Sequence, residues 1–211
     1  MKRDNAEQRA YTFEIRAERN DKHGAHIVGR PIVYEKKTDL GWFDEIIQRG
    51  ALDGANLKDV RFLVNHDLSM IPLARSRNNN ENSTMQMTVD KDGMGIRVNL
   101  DTENNATAKE LYSAVERGDI DGMSFMFSID GEKWDDIESD HPTRTITKIG
   151  EVFEVSAVTF PAYDETEISA RDKAALDNAR RALDNARESA PDGESDNLIN
   201  LEKEKLKLLT M

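Results

Sequence analysis

The sequence has no cysteine, so disulfides and thiolate zinc ligation are excluded and nothing points to an oxidising compartment. Long apolar runs are missing as well. No stretch approaches the roughly 20 residues that a bilayer-spanning helix needs, and the polar opening MKRDNAEQRA lacks the apolar core of a signal peptide. No membrane partner is therefore expected, and cytoplasm is the expected place of synthesis and use. A basic excess is also absent: 29 Lys and Arg stand against 41 Asp and Glu, a net charge of -12, which argues against nucleic acid as a direct partner. The acids of Asp90-Lys91-Asp92-Gly93 lack the spacing of an EF-hand loop, so neither a metal nor another cofactor is expected.

At 211 residues the chain is long enough for one ordinary domain and a tail. Its first part reads as β-rich. Tyr11, Phe13, Ile15 and Ala17 alternate with Thr12, Glu14, Arg16 and Glu18, the period of a half-buried strand, and His26 to Tyr34 is expected to pair with it. Pro31 cannot donate to a ladder, which implies an edge position or a bulge there. Arg61 to Val64 reads as a short buried strand ending just before His66. Thr84 to Val89 and Gly95 to Leu100 flank an Asp-Gly pair, a hairpin signal.

From Ala106 to Arg117 the period becomes helical, with Ala108, Leu111, Tyr112 and Val115 on one face. Thr107 and Glu110 resemble a capping box, and Gly118 ends the run. A strand follows in which Met123, Phe125, Phe127 and Ile129 face the core, leaving Ser124 opposite with Met126 and Ser128, and accessible. Thr143 to Ile149 and Glu151 to Phe160 read as a closing strand pair. In a regular strand Glu154 and Glu151 fall on opposite faces. Many short strands with few helices point to an α+β protein, mainly β, with a closed or nearly closed barrel.

Beyond Ala162 the composition shifts. LDNAR occurs at Leu176 to Arg180 and again, one heptad later, at Leu183 to Arg187, which suits a helix or a short coiled coil. Ser189-Ala190-Pro191-Asp192-Gly193 interrupts it, and Leu198, Leu201, Leu206 and Leu209 mark a second amphipathic segment. The expected organisation is an N-terminal extension over 1–10, a main domain over 11–165, and a charged helical or partly disordered tail over 166–211. Amphipathic helices of this kind commonly dock onto partners.

Three residues in distinctive strings could carry chemistry together: His66 in RFLVNHDLSMIPLAR, Ser124 in ERGDIDGMSFMFSI and Glu154 in GEVFEVSAVTFPAY. Taken singly, each has a bland explanation. A lone histidine is usually structural or solvated, Ser124 could be a small strand residue after the Asp121-Gly122 turn, and Glu154 could sit on an exposed strand face. Taken together they suit a nucleophile, a base and an orienting carboxylate, because a serine hydroxyl attacks only when an imidazole takes its proton and a third group holds that imidazole.

From Tyr11 to Glu165 the strings GRPIVY, WFDEIIQRGAL, NHD with PLAR, RGDIDGMSFMF and EVSAVTFPAY resemble the prohead proteases of tailed bacteriophages, of the HK97 type, related to the herpesvirus assemblins. The resemblance implies an assemblin-like barrel surrounded by helices, to which the C-terminal helical tail read from composition is added. It implies a serine endopeptidase with His66 as base, Ser124 as nucleophile and Glu154 as third member. Arg75, in the matched PLAR string, is the candidate for stabilising the oxyanion. The family often has glycine where Ala74 and Met126 stand here, and the larger Met126 narrows the expected substrate groove. The implied partners are the phage major capsid protein and scaffold segments as substrates, with self-cleavage, inside the immature capsid in the host cytoplasm. Assemblin relatives dimerise, so a homodimer is an option. A non-catalytic assembly or scaffolding protein that keeps the barrel is the alternative reading.

Overall fold

The computed structural model describes residues 6–11, 15–159 and 170–189. In chain order these form β1 (Ala6–Tyr11), β2 (Ile15–Asn20), β3 (Gly24–Val33), β4 (Thr38–Asp39), β5 (Asp44–Ile47), β6 (Asp59–Val64), β7 (Ala74–Arg77), β8 (Met85–Asp90), β9 (Gly93–Asn99), α1 (Ala106–Arg117), β10 (Gly122–Asp135), β11 (Thr143–Val158) and α2 (Ala170–Ser189). The protein is mainly β with few helices, an α+β fold. Its strands make two sheets. One has four strands in the order β2-β3-β9-β8, all antiparallel. The other has seven, running β1-β10-β11-β5-β4 with β6 and β7 attached to β11. Among the described residues neither hydrogen-bonded ladder closes into a barrel, because β1 and β4 remain edges.

The four-stranded sheet follows its local signals. β8 and β9 join through Lys91 and Asp92, with Gly93 at a φ of 134° where an added Cβ would lie 2.0 Å from the Ile32 carbonyl oxygen. Only glycine fits that approach. Pro31 sits where the β3–β9 register shifts, between Gly29 and Ile32, so β3 is a central strand with a bulge and not an edge. α1 lies against β2 and β3 and buries Ala108, Leu111, Tyr112 and Val115. Its N-cap is Asn105, whose side chain accepts from the Ala108 amide, in place of the expected Thr107–Glu110 box. Gly118 closes it in the left-handed conformation at a φ of 77°.

Two expectations need correction. The alternation from Tyr11 to Ala17 belongs to two strands in different sheets: Tyr11 ends β1 on β10, while Ile15 starts β2 on β3. Residues 12–14 lie outside the described ones. The supposed closing pair over Thr143 to Phe160 is one 16-residue strand, β11, antiparallel to β10 along its length. Gly150 does not turn the chain; it lets β11 pass the Asp130 and Ser128 side chains, whose oxygens would lie 2.4 and 2.8 Å from a Cβ there.

One apolar core runs through both sheets and α1, with Ile27, Ile32, Phe62, Met85, Met94, Val98, Phe125, Phe127 and Ile146 fully buried. The described part of the tail packs on the body. α2 buries Ala179 and Leu183, its Arg180 lies 5.5 Å from the Trp42 ring centroid, and Arg187 Nε donates to the Ile137 carbonyl at 2.7 Å. The second amphipathic segment, Leu198 to Leu209, lies outside the described residues. No helix among the described residues is long and apolar enough to cross a membrane.

Candidate active site

Three adjacent strands bring the sequence candidates together. β11 lies between β10 and β6: Ser124 pairs with Ser156, while Glu154 pairs with Arg61 and Ala157 with Val64 in parallel. The turn that leaves β6 is tied to β11. Asn65 donates its amide to the Ala157 carbonyl at 2.9 Å, and its side-chain oxygen accepts from the Thr159 amide at 2.9 Å. Asn65 and His66 both adopt left-handed backbone, with φ of 50° and 56°. That conformation is costly for residues other than glycine and persists where surrounding contacts enforce it, often at functional sites. Here it turns the imidazole back over the sheet.

The imidazole bridges the other two residues. His66 Nδ1 lies 2.6 Å from Glu154 Oε1, and Nε2 lies 2.6 Å from Ser124 Oγ. A carboxylate only accepts, so Nδ1 carries the proton toward Glu154 and Nε2 in the neutral ring is left to accept from the serine. Glu154, at 1% exposure, is also held through its other oxygen by the Ser156 hydroxyl at 2.6 Å. Ser156 Oγ in turn accepts from the His66 amide at 3.1 Å. This one buried hydroxyl therefore fixes both the carboxylate and the backbone that carries the imidazole. The string EVS puts Ser156 on the face of Glu154, but only the structure shows that it touches both partners.

Glu154 and Glu151 were separated by strand parity. The β10–β11 register shifts between Met126 and Phe127, so Glu154 lies opposite Met126 and Glu151 opposite Ser128. Both acids thus face residues of the Ser124 side, and proximity to His66 decides between them. Glu154 meets the imidazole.

Ser124 is not accessible as expected. It is fully buried, and the Arg9 carbonyl oxygen, 2.8 Å from its Oγ, competes with His66 Nε2 for its one proton. The reason is β1, the presumed extension, which lies antiparallel along β10 with Ala10 opposite Ser124 and Arg9 opposite Phe125. Met126, also buried, faces Gln8. Composition gave no sign of this strand, because AEQRAY has no alternation of its own.

On the other face of β10, β1 contributes to a buried charge cluster. Arg9 Nη2 donates to Glu45 Oε2 at 2.7 Å and to Glu7 Oε2 at 2.5 Å. Arg144 Nη1 donates to Glu7 Oε2 at 3.0 Å and Glu45 Oε2 at 3.3 Å, and its Nε reaches Glu132 at 2.6 Å. Burial alone would raise the Glu7 pKa, but the Arg9 and Arg144 charges and hydrogen bonds outweigh it and hold that carboxyl below its ordinary value.

Arg75 stands apart. It lies on β7, and its guanidinium is engaged by Asp59, with Nε to Oδ1 at 2.5 Å and Nη2 to Oδ2 at 2.8 Å. Both side chains are more than a third exposed. No described hydrogen bond or ion pair brings Arg75 to Ser124, His66 or Glu154.

A family profile described as the caudovirus prohead serine protease matches residues 11–180. Among solved structures, the capsid assembly protease gp21 of bacteriophage T4 aligns at 11% identity over 72% of this chain and 98% of that chain, with a TM-score of 0.34. No curated protein matches the chain.

Proposed function

The chain belongs to the caudovirus prohead serine protease family, and on that premise we propose that Ser124, His66 and Glu154 are its nucleophile, base and orienting acid. Family membership makes it a serine protease of phage capsid maturation. The observation that carries the residue assignment is the imidazole bridge, 2.6 Å to the serine oxygen and 2.6 Å to the carboxylate. His66 Nε2 takes the Ser124 proton as Oγ attacks a peptide carbonyl carbon, Glu154 stabilises the imidazolium that forms, and the proton passes to the departing amine. Water then attacks the acyl-enzyme with His66 again as base.

The substrates we assign are the phage major capsid protein and scaffold segments, together with the enzyme itself, in the host cytoplasm inside the immature capsid. A homodimer and an assemblin-like barrel belong to the same reading; the core shared by the two sheets supports the second. The tail from residue 166 serves delivery into the capsid. Arg75 serves as oxyanion donor only by exchanging Asp59 for the substrate oxygen, so unchanged turnover in Arg75→Ala removes it from the site. Co-expression with the major capsid protein of the same phage, followed by intact mass of the products, tests the whole reading. Processing by wild type and none by Ser124→Ala is the expected result; equal processing by both overturns it.

A further inference from the structure

β1 occupies the one position where a peptide substrate would meet the nucleophile. Among the described residues it is an edge strand, paired with β10 alone, as an extended peptide is when it adds to a sheet. Its Arg9 carbonyl oxygen is 2.8 Å from Ser124 Oγ, and the carbonyl carbon is no more than about 1.2 Å further away. The serine has one proton and two acceptors, the Arg9 oxygen and His66 Nε2. Turning that proton from the first to the second frees an oxygen lone pair beside the Arg9 carbonyl.

The side chains of β1 are read as well. Arg9 and Glu7 are 5% and 4% exposed, and each meets opposite charge supplied by the body of the protein: Arg9 meets Glu45 on β5, and Glu7 meets Arg144 on β11. Without β1, Glu45 and Arg144 still pair with each other and Arg144 with Glu132, so the cradle survives departure of the strand with its charges partnered.

We propose that the Arg9–Ala10 peptide bond is the enzyme's own first cleavage site, and that Glu45 and Arg144 select substrates with arginine before the cut and an acidic residue two positions earlier. The inference rests on the assignment of Ser124 and His66 made above. Ser124 Oγ bonds to the Arg9 carbonyl carbon and its proton goes to His66. The C–N bond to Ala10 breaks, with the proton delivered to the Ala10 nitrogen. Water then hydrolyses the Arg9 ester. The products are a peptide ending in the Arg9 carboxylate and a chain beginning at Ala10. Release of β1 uncovers Ser124 and leaves the edge of β10 open to capsid or scaffold segments, so self-cleavage and activation are one event.

The test is N-terminal sequencing and intact mass of the full-length wild type, Ser124→Ala, Arg9→Lys and Arg9→Glu, each co-expressed with the major capsid protein of the same phage. Wild type should show a new N-terminus at Ala10, and Ser124→Ala should keep residues 1–9. Arg9→Lys should be cut more slowly, and Arg9→Glu, which places like charge against Glu45, at least tenfold more slowly than Arg9→Lys. A synthetic peptide of residues 4–15, given to the processed enzyme, should be cut after its arginine. An intact Arg9–Ala10 bond in an enzyme that processes capsid protein through Ser124 overturns this inference and leaves the active-site assignment standing. Absence of both cuts removes the two together. A cut that persists in Ser124→Ala, or an Arg9→Glu chain cut as fast as wild type, overturns self-cleavage at this bond.

Discussion

The four-stranded and seven-stranded sheets are built by different rules. In the first, every pairing is antiparallel, and β2–β3 and β8–β9 are hairpins made by neighbours in sequence. In the second, β11 pairs in parallel with β5 and β6, strands separated from it by most of the domain, and β1 reaches β10 across more than a hundred residues. The first sheet carries packing and no candidate chemistry. The second carries the imidazole bridge and the buried charge cluster. Local pairing is cheap in loop entropy and legible, whereas a site assembled from distant segments needs long-range pairing to bring its parts together.

The comparison breaks most sharply at the proposed nucleophile. Ser124→Ala and His66→Ala should each leave a folded protein and lower cleavage to a similar extent, by up to about a millionfold, because members of such a unit do not act additively. Capsid-protein processing read by mass spectrometry, beside circular dichroism of each variant, checks both halves. Glu154→Gln keeps the shape and removes the charge facing Nδ1, and turnover should fall by roughly a hundred to ten thousandfold. Glu151→Gln, on the same side of the strand but away from the imidazole, should stay close to wild type. If those two results are exchanged, the bulge between Met126 and Phe127 does not place the acids as described.

Ser156→Ala sharpens the comparison further. It removes the hydroxyl that holds Glu154 and accepts from the His66 amide. Turnover should drop about tenfold with KM little changed, and stability by about 1–3 kcal/mol for the buried groups left unpaired. A loss in stability with unchanged kcat would make the residue structural only. In the other sheet, Gly93→Ala forces a Cβ against the Ile32 carbonyl and should destabilise by at least about 1–3 kcal/mol. The folded fraction should keep wild-type kcat, as thermal melts and active-site titration would show. The smallest effect belongs to Arg75→Ala, which breaks a half-exposed pair with Asp59 worth about 0–1 kcal/mol.

β3, β8, β9, α1 and the strand that ends before His66 are readable, since alternation, an Asp-Gly turn and a glycine stop are local signals, whereas the alternation through β2 runs on into β1 of the other sheet. Capping was misplaced by two residues, because Asn105 competes with Thr107 and only the first helical turn decides between them. The division at residue 10 misread β1. Its buried Glu7 and Arg9 are charged, and their burial is offset by ion pairs with Arg144 and Glu45, which no window along the chain contains. The single long β11 was missed because Gly150 punctuates a sequence whether or not the chain turns there.

The sequence alone determined the mainly β class and the strings that carry family likeness, and it nominated His66, Ser124 and Glu154 as candidates, since side-chain period and motif text need no knowledge of distance. The tertiary structure alone decided which acid meets the imidazole, that Ser156 braces it, that Arg75 is given to Asp59, and that Ser124 is covered by the chain's own first strand. Those facts depend on strand neighbours, a one-residue bulge and left-handed backbone at His66, and each is fixed by contacts between segments far apart in sequence.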